Sequence, residues 1–256
     1  MQKQVGSKSF SKGTARHMMN AAGIFVLCLS TSASIVASTN KSADAAVVKQ
    51  PTSLQWQQVF ATNNAVRFLE FTAHFHDAKG VEHLLHYWRE GDKRLRRNTD
   101  GNVDLMVERL ANGEHRYHVI DHHKKIITQI DQTNLHRIGQ FSSWDDFARA
   151  LTMPASGAKL VKTTNTDISV GDYRCSWYEV IPTPHGKTHE TRQHICWSQL
   201  LGIPLKVTSE RLNGEKITTW LMDSASTLKL NNTAFTVNVE GYASVDANLD
   251  ISPESD

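Results

Sequence analysis

The stretch Arg67-Phe-Leu-Glu-Phe-Thr-Ala-His-Phe-His76 alternates apolar and polar side chains from Leu69 to its end. Successive side chains of a β-strand point to opposite faces, so a period of two places the apolar residues together on one face. The pattern therefore predicts a half-buried strand. Its predicted core face carries Leu69, Phe71, Ala73 and Phe75, and its other face carries Glu70, Thr72, His74 and His76.

Similar segments follow, separated by short stretches that contain Gly, Asn or Asp. Such stretches form tight turns, and their close spacing predicts an antiparallel meander. The predicted strands that follow the first are residues 81–89, 93–98, 103–110, 116–120, 125–130, 203–211 and 216–222, with two further strands around the cysteines.

Two segments have helical rather than strand spacing. Residues 54–60 are compatible with a short amphipathic helix. Residues 143–151 place Trp144, Phe147 and Leu151 on one side of a second helix, which Ser143 can cap and Pro154 ends.

These elements predict an α+β fold that is mostly antiparallel sheet. A large sheet with one apolar face must cover that face, so we expect a curled sheet or half-open β-barrel with one or more covering helices. A concave side that is incompletely filled is a cavity suited to an apolar ligand.

Two of the three cysteines, Cys175 and Cys196, lie in strand-like segments on either side of a turn-rich stretch, residues 182–190. A hairpin centred between His185 and Gly186 places the two cysteines opposite each other, close enough for a disulfide bond. The alternative is a redox-active pair, which the absence of a Cys-x-x-Cys spacing disfavours.

The N-terminal residues have the pattern of an export signal. A basic region, a short apolar core and a small-residue end predict a signal peptide at residues 1–37, although cleavage near residues 43–45 or a permanent membrane anchor are alternatives. We expect a flexible lead-in at 38–51, one β domain at 52–242 and an acidic mobile tail at 243–256. Export and a disulfide together indicate the periplasm.

The charge balance excludes a nucleic-acid binder. Of the 28 Lys and Arg residues, four lie in the predicted leader, and 28 less 4 leaves 24 against 26 Asp and Glu. A basic footprint is therefore absent from the rest of the chain. The one basic run, residues 93–97, is either an exposed strand face or a site for an anion or a lipid headgroup.

Four segments together resemble the periplasmic lipoprotein-carrier superfamily of LolA, LolB and RseB: residues 86–97, 117–130, 200–215 and 235–242, the last resembling a closing strand. The resemblance implies an unclosed β-barrel with helices over its mouth and binding of lipid acyl chains or lipoprotein partners. It also implies that Arg94, Arg96 and Arg97 lie near the ligand mouth, with Leu69, Phe71 and Phe75 on the apolar wall. The disulfide hairpin, the many histidines and the more polar sheet depart from the family.

Histidines on the predicted polar face suggest a metal site. Side chains two residues apart on a strand share a face, so Glu70, His74 and His76, with His86 on the next strand, could bind zinc or copper. The alternative is an ordinary solvated strand face.

The sequence contains no Gly-x-Ser-x-Gly, P-loop or dinucleotide-binding motif, which favours a binding protein over an enzyme. Three functions follow. The first is a periplasmic carrier for a lipid or lipoprotein acyl chain, with peripheral membrane contact. The second is an envelope sensor or scaffold that binds another protein, and the third is a metal-binding protein.

Overall fold

The computed structural model describes residues 54–137, 144–151, 158–164, 169–182, 191–211 and 213–249. The predicted leader, the lead-in, the tip of the cysteine hairpin, the cap at Ser143 and the stop at Pro154 lie outside these ranges. No helix within them is long and apolar enough to cross a membrane.

The described residues form fourteen strands, three short α-helices and a 3₁₀ helix at Asn232–Phe235. The α-helices are α1 (Trp56–Val59), α2 (Gln132–Arg137) and α3 (Trp144–Ala148). The strands are β1 (Phe68–His76), β2 (Glu82–Glu90), β3 (Arg94–Thr99), β4 (Val103–Arg109), β5 (His115–Asp121), β6 (Ile126–Asp131), β7 (Lys159–Lys162), β8 (Ser169–Val170), β9 (Tyr173–Arg174), β10 (Ser176–Ile181), β11 (Arg192–Ser198), β12 (Ile203–Glu210), β13 (Lys216–Ser226) and β14 (Ala243–Asp246).

Twelve strands form one curled sheet in the order β14-β6-β5-β4-β3-β2-β1-β13-β12-β11-β10-β7, and β8 pairs with β9. The sheet has two edges, β14 and β7, so it does not close into a barrel. Each strand pair in it is antiparallel except β14 with β6, which is parallel. The predicted fold class, a mostly antiparallel curled sheet with covering helices, is confirmed.

Strand β1 lies inside the sheet, paired with β2 on one side and β13 on the other. Its alternation is confirmed: Leu69, Phe71 and Ala73 are fully buried, and Phe75 is half-buried. We call the face that carries these residues the inner face and the opposite one the outer face. The inner face holds the core because the apolar side chains of neighbouring strands follow the same two-residue period.

The C-terminal part differs from the sequence-based prediction. Residues 235–242 were expected to form the closing strand, but Asn232–Phe235 is a 3₁₀ helix and β14 begins only at Ala243. Folded structure thus continues into the stretch expected to be a mobile tail. Three of the four β14 side chains are exposed, so backbone pairing with β6 rather than side-chain burial places this strand.

The disulfide between Cys175 and Cys196 is present, with Cα atoms 5.3 Å apart. The predicted register is wrong by two residues, because Cys196 lies opposite Trp177 and Cys175 lies just before β10. A shift of two residues keeps every side chain on its face, whereas a shift of one would reverse all of them. The cysteines therefore still meet, as diagonal rather than direct neighbours.

The residues after β13 cross the outer face before they reach the far edge; we call residues 227–242 the C-terminal strap. Arg94 donates to Asn232 Oδ1 over 2.7 Å and lies over the Phe235 ring. Arg96 donates to the carbonyl oxygens of Ala234 and Thr236. Two neighbouring arginines of β3 thus hold the strap against the sheet.

A buried carboxylate completes this attachment. Asp104, which is 0% exposed, accepts hydrogen bonds from Arg96 Nε and His122 Nε2, both over 2.7 Å. The Nδ1 of His122 lies 2.9 Å from the hydroxyl of Tyr242, at the end of the strap. Asp104 therefore links β3, the turn after β5 and the strap.

Removing the disulfide should destabilise the fold. In the chain-entropy model, a loop with a sequence separation of 21 residues contributes about 3 kcal/mol. Urea unfolding of the double variant Cys175→Ala and Cys196→Ala should show this loss, and a reducing agent should lower the stability of the parent protein but not of the variant. Equal stability of the parent with and without reductant would contradict the prediction.

Replacing Asp104 by Asn should cost about 3 kcal/mol in the free energy of unfolding, because it leaves the Arg96 guanidinium without its buried counter-charge. The matched control is Asp92→Asn, which breaks the exposed ion pair with Arg109 and should cost less than about 1 kcal/mol. Denaturant titration of both variants measures the difference, and equal costs would refute the role of burial.

Candidate functional site

The inner face of β1 to β6 is fully closed along one cross-strand row. Strand pairing places one residue from each strand side by side in this row, and all of them are at most 4% exposed. We call it the closed row: Leu69, Arg89, Leu95, Val107, Tyr117 and Ile130.

Helix α3 covers the closed row and is fixed by two side chains of β2. Arg89 donates to the carbonyl oxygens of Ala148, over 2.7 Å, and Leu201, over 2.8 Å. The hydroxyl of Tyr87 donates to the Ala148 carbonyl oxygen over 3.1 Å. Carbonyls at a helix C-terminus lack partners within the helix, so these donors satisfy groups that burial would otherwise leave unpaired.

The next two cross-strand rows of the inner face differ in burial between β1 and β2 on the one hand and β3 to β6 on the other. On β1 and β2 their residues stay fully buried, but from β3 to β6 each inner-face side chain is half-buried. We call this region the open end: Arg97, Leu105, Val119 and Thr128 in one row, and Thr99, Val103, Asp121 and Ile126 in the other. Half of these side chains are apolar, and the surface adjoins the core without being sealed.

Arg97 is the cation of the open end. Its cross-strand neighbours are Tyr87 and Leu105. Burial lowers the pKa of Arg97, and the pKa of Tyr87 is raised to about 12, chiefly by burial of its hydroxyl. The guanidinium therefore lies in an environment that solvates charge poorly.

The structure separates the residues predicted to bind the ligand. Leu69 and Phe71 lie within the packed core. Phe75 is half-buried on β1, with its ring 6.3 Å from that of Trp220. The three arginines divide between the faces, because Arg97 lies on the inner face whereas Arg94 and Arg96 hold the strap on the outer face.

Of the four predicted metal ligands, the structure brings together Glu70 and His86, which lie 2.9 Å apart. His74 contacts Asp223 at 3.4 Å and Glu82 at 4.0 Å instead. Within the described ranges, no three His, Cys, Asp or Glu side chains are grouped as metal ligands. Binding of zinc or copper by Glu70, His74, His76 and His86 stays a prediction.

Two clefts lie away from the open end. One, of about 340 Å³, is lined by polar residues around a stacked pair, His115 and Trp144, whose rings are 5.1 Å apart. The other, of about 200 Å³, lies beside the disulfide and includes Tyr178 and Trp197. Neither cleft includes a residue of the open end.

Sequence reasoning missed Arg89 and Tyr87, which fix α3. The signal was present, since Leu85, Tyr87 and Arg89 follow the same two-residue period and the first two are apolar or aromatic. A charged residue on the core side of a strand is a residue that must find buried partners.

No protein-family model matches the chain, and no curated protein matches its sequence. Among solved structures it is similar to MucB, with 14% identity and a TM-score of 0.42 over 74% of this chain and 64% of that chain. It is also similar to the Pseudomonas aeruginosa MucA/MucB complex, with 14% identity and a TM-score of 0.41 over 72% of this chain and 60% of that chain. A LolA superfamily protein from Nitrosomonas europaea has 12% identity and a TM-score of 0.23 over 72% of this chain and 99% of that chain.

This chain therefore spans less than two thirds of the matched chains in the two MucB structures. These similarities concern the fold alone.

The pair of His83 and Asp100, at the rim of the sheet, should make stability depend on pH. The hydrogen bond that His83 Nδ1 donates to Asp100 Oδ2 over 2.7 Å raises the pKa of His83 above 6.5. Burial alone would raise the pKa of Asp100, but hydrogen bonds from His83 and the Leu84 N–H lower it below 3.8. The pair therefore stabilises most between about pH 4 and 6.5, and its contribution falls as pH rises through the folded-state pKa of His83.

We expect Asp100→Asn to lower Tm more at pH 5.5 than at pH 8.5. Asn tolerates the positive φ of 56° at this position, so the substitution changes the charge with little backbone strain. Thermal melts at the two pH values measure the loss of Tm. In a His83→Gln background, the pH dependence of the Asp100→Asn effect should disappear. A loss of Tm that does not change with pH would exclude the pair as its cause.

Proposed function

We propose that this protein is a non-enzymatic carrier or binding protein of the periplasm that holds an acyl chain of a lipid or lipoprotein on the open end. The observation that carries the proposal is the change in burial along the inner face. The closed row is sealed by α3, whereas Leu105, Val119, Val103 and Ile126 remain half-buried beside it.

An acyl chain is the ligand that suits this surface. The apolar residues of the open end lie on three adjacent strands, β4, β5 and β6, which are roughly 4.8 Å apart, so they offer a band rather than a compact pocket. Covering such a band contributes about 25 cal/mol per Å² of apolar area removed from water. The signal-like leader, the disulfide and the resemblance of the hairpins to lipoprotein carriers support the periplasmic location and the class of ligand.

A protein partner is the second candidate, and an outer-face feature favours it. Leu84 and Leu221 are 45% and 40% exposed, and both are cross-strand neighbours of His74. The two leucines lie on either side of His74, and exposed apolar side chains close together on one face are typical of contact surfaces. This candidate is the envelope sensor or scaffold, and it uses the face opposite to the open end.

The carrier function predicts that the exported protein, purified from membranes, carries an acyl-chain lipid. Native mass spectrometry should show the bound mass, and its removal under denaturing conditions should leave the protein mass alone. The double variant Leu105→Asn and Val119→Asn should lose at least about tenfold in lipid occupancy, because it places amides where the chain packs.

The matched control is Ile127→Asn, a half-buried apolar residue of β6 whose side chain lies on the outer face. It should leave occupancy unchanged. Parent protein that carries no lipid as purified and takes up none from added acyl-chain compounds would exclude the carrier function. Recovery of a protein partner that Leu84→Asp abolishes would then favour the scaffold.

A further inference from the structure

Arg97 differs from the arginines beside it because no residue of the described part of the chain pairs with its guanidinium. On the same strand, Arg94 pairs with Glu90 at 2.8 Å and Arg96 pairs with Asp104 at 2.7 Å. No hydrogen bond or ion pair joins the Arg97 guanidinium to any residue in the described ranges; its one recorded interaction is electrostatic, with Tyr87. An unpaired cation on an apolar, partly desolvated surface destabilises a fold unless something outside the fold compensates it.

Neighbouring groups of the inner face do not supply that compensation. The Tyr87 hydroxyl stays neutral, because burial raises its pKa to about 12. It donates a hydrogen bond to the carbonyl oxygen of Ala148. The carboxylate of the open end, Asp121, lies two strands away from Arg97 and pairs with Lys124 at 3.0 Å. A guanidinium is always charged near neutral pH, so its counter-ion must come from elsewhere.

The residues beside Arg97 indicate what kind of molecule carries that counter-ion. Leu105 lies next to Arg97 on β4, and Val119 lies next to Leu105 on β5. From Arg97 on β3 to Ile126 on β6 the surface extends over three strand spacings, roughly 14 Å. One positive donor group at the start of an apolar band matches a molecule with one negative end and an apolar tail.

We propose that the ligand of the open end is an anionic amphiphile, a carboxylate or phosphate on an acyl chain, whose headgroup binds the Arg97 guanidinium. This proposal rests on the carrier function and adds the identity of the headgroup. The planar fork of the guanidinium donates two parallel hydrogen bonds to either anion, which a lysine ammonium does not reproduce.

The test compares three probes with the same twelve-carbon tail: dodecanoate, monododecyl phosphate and dodecanol. Each displaces the neutral fluorophore N-phenyl-1-naphthylamine from the folded protein. Charge-assisted hydrogen bonds predict that at least one anion binds about tenfold or more tightly than the alcohol. Preference for dodecanoate indicates a fatty-acid type of headgroup, and preference for the phosphate alone indicates a phospholipid type.

Arg97→Gln should bring the affinities of the anions down to that of dodecanol without changing the affinity for dodecanol. Arg97→Lys should keep part of the preference. The control is Arg116→Gln, an exposed arginine on the outer face of β5 with no recorded ion pair in the described ranges, which should change nothing. Because Arg97 is unpaired, Arg97→Gln should also leave Tm unchanged or raise it, which shows that the variant is folded.

Equal binding of the three probes, unchanged in Arg97→Gln, would overturn the headgroup assignment and leave the carrier function intact. Failure of all three probes to bind would overturn both. An anion preference that survives in Arg97→Gln would also overturn the assignment, because it would place the headgroup at another cation.

Discussion

One constraint governs this protein: the apolar face of the long meander must be kept from water, and the chain has few helices with which to cover it. Curling brings the inner-face side chains of β1, β2 and the strands beyond β13 into one core. Burial of apolar area is the main stabilising term available to such a sheet. The position of every other feature follows from which part of the face is covered and which is not.

Two polar side chains decide where the covering ends. Arg89 in the closed row and Tyr87 in the next row point into the core and bind the last carbonyl of α3, so the helix is fixed over both rows at β2. Both groups would be costly to bury without partners, and α3 supplies them. Beyond β2, the adjoining inner-face side chains of the open end on β3 to β6 are half-buried.

The outer face is stabilised by charged contacts beside a few buried apolar side chains, Trp88, Ile120 and Phe235. The C-terminal strap is held by Arg94, Arg96 and the buried Asp104, and it leads to β14 at the sheet edge. Covering an edge strand matters because its unpaired backbone groups would otherwise pair with another chain. The arginines of one strand therefore serve two purposes, since Arg94 and Arg96 hold the strap whereas Arg97 faces the open end.

The amino-acid sequence by itself determined most of the strands, their faces and the disulfide, because a period of two and turn residues act locally. The same alternation places Arg97 on the inner face with Leu95 and places Arg96 on the outer face, although these arginines form one basic run in the sequence. Only the tertiary structure decided that Leu69 and Phe71 lie under cover while Leu105 and Val119 do not, that the hairpin register is shifted by two residues, and that residues 243–246 join the sheet. These depend on contacts between residues distant in sequence, such as Arg89 with Ala148 and Leu201, which no local pattern specifies.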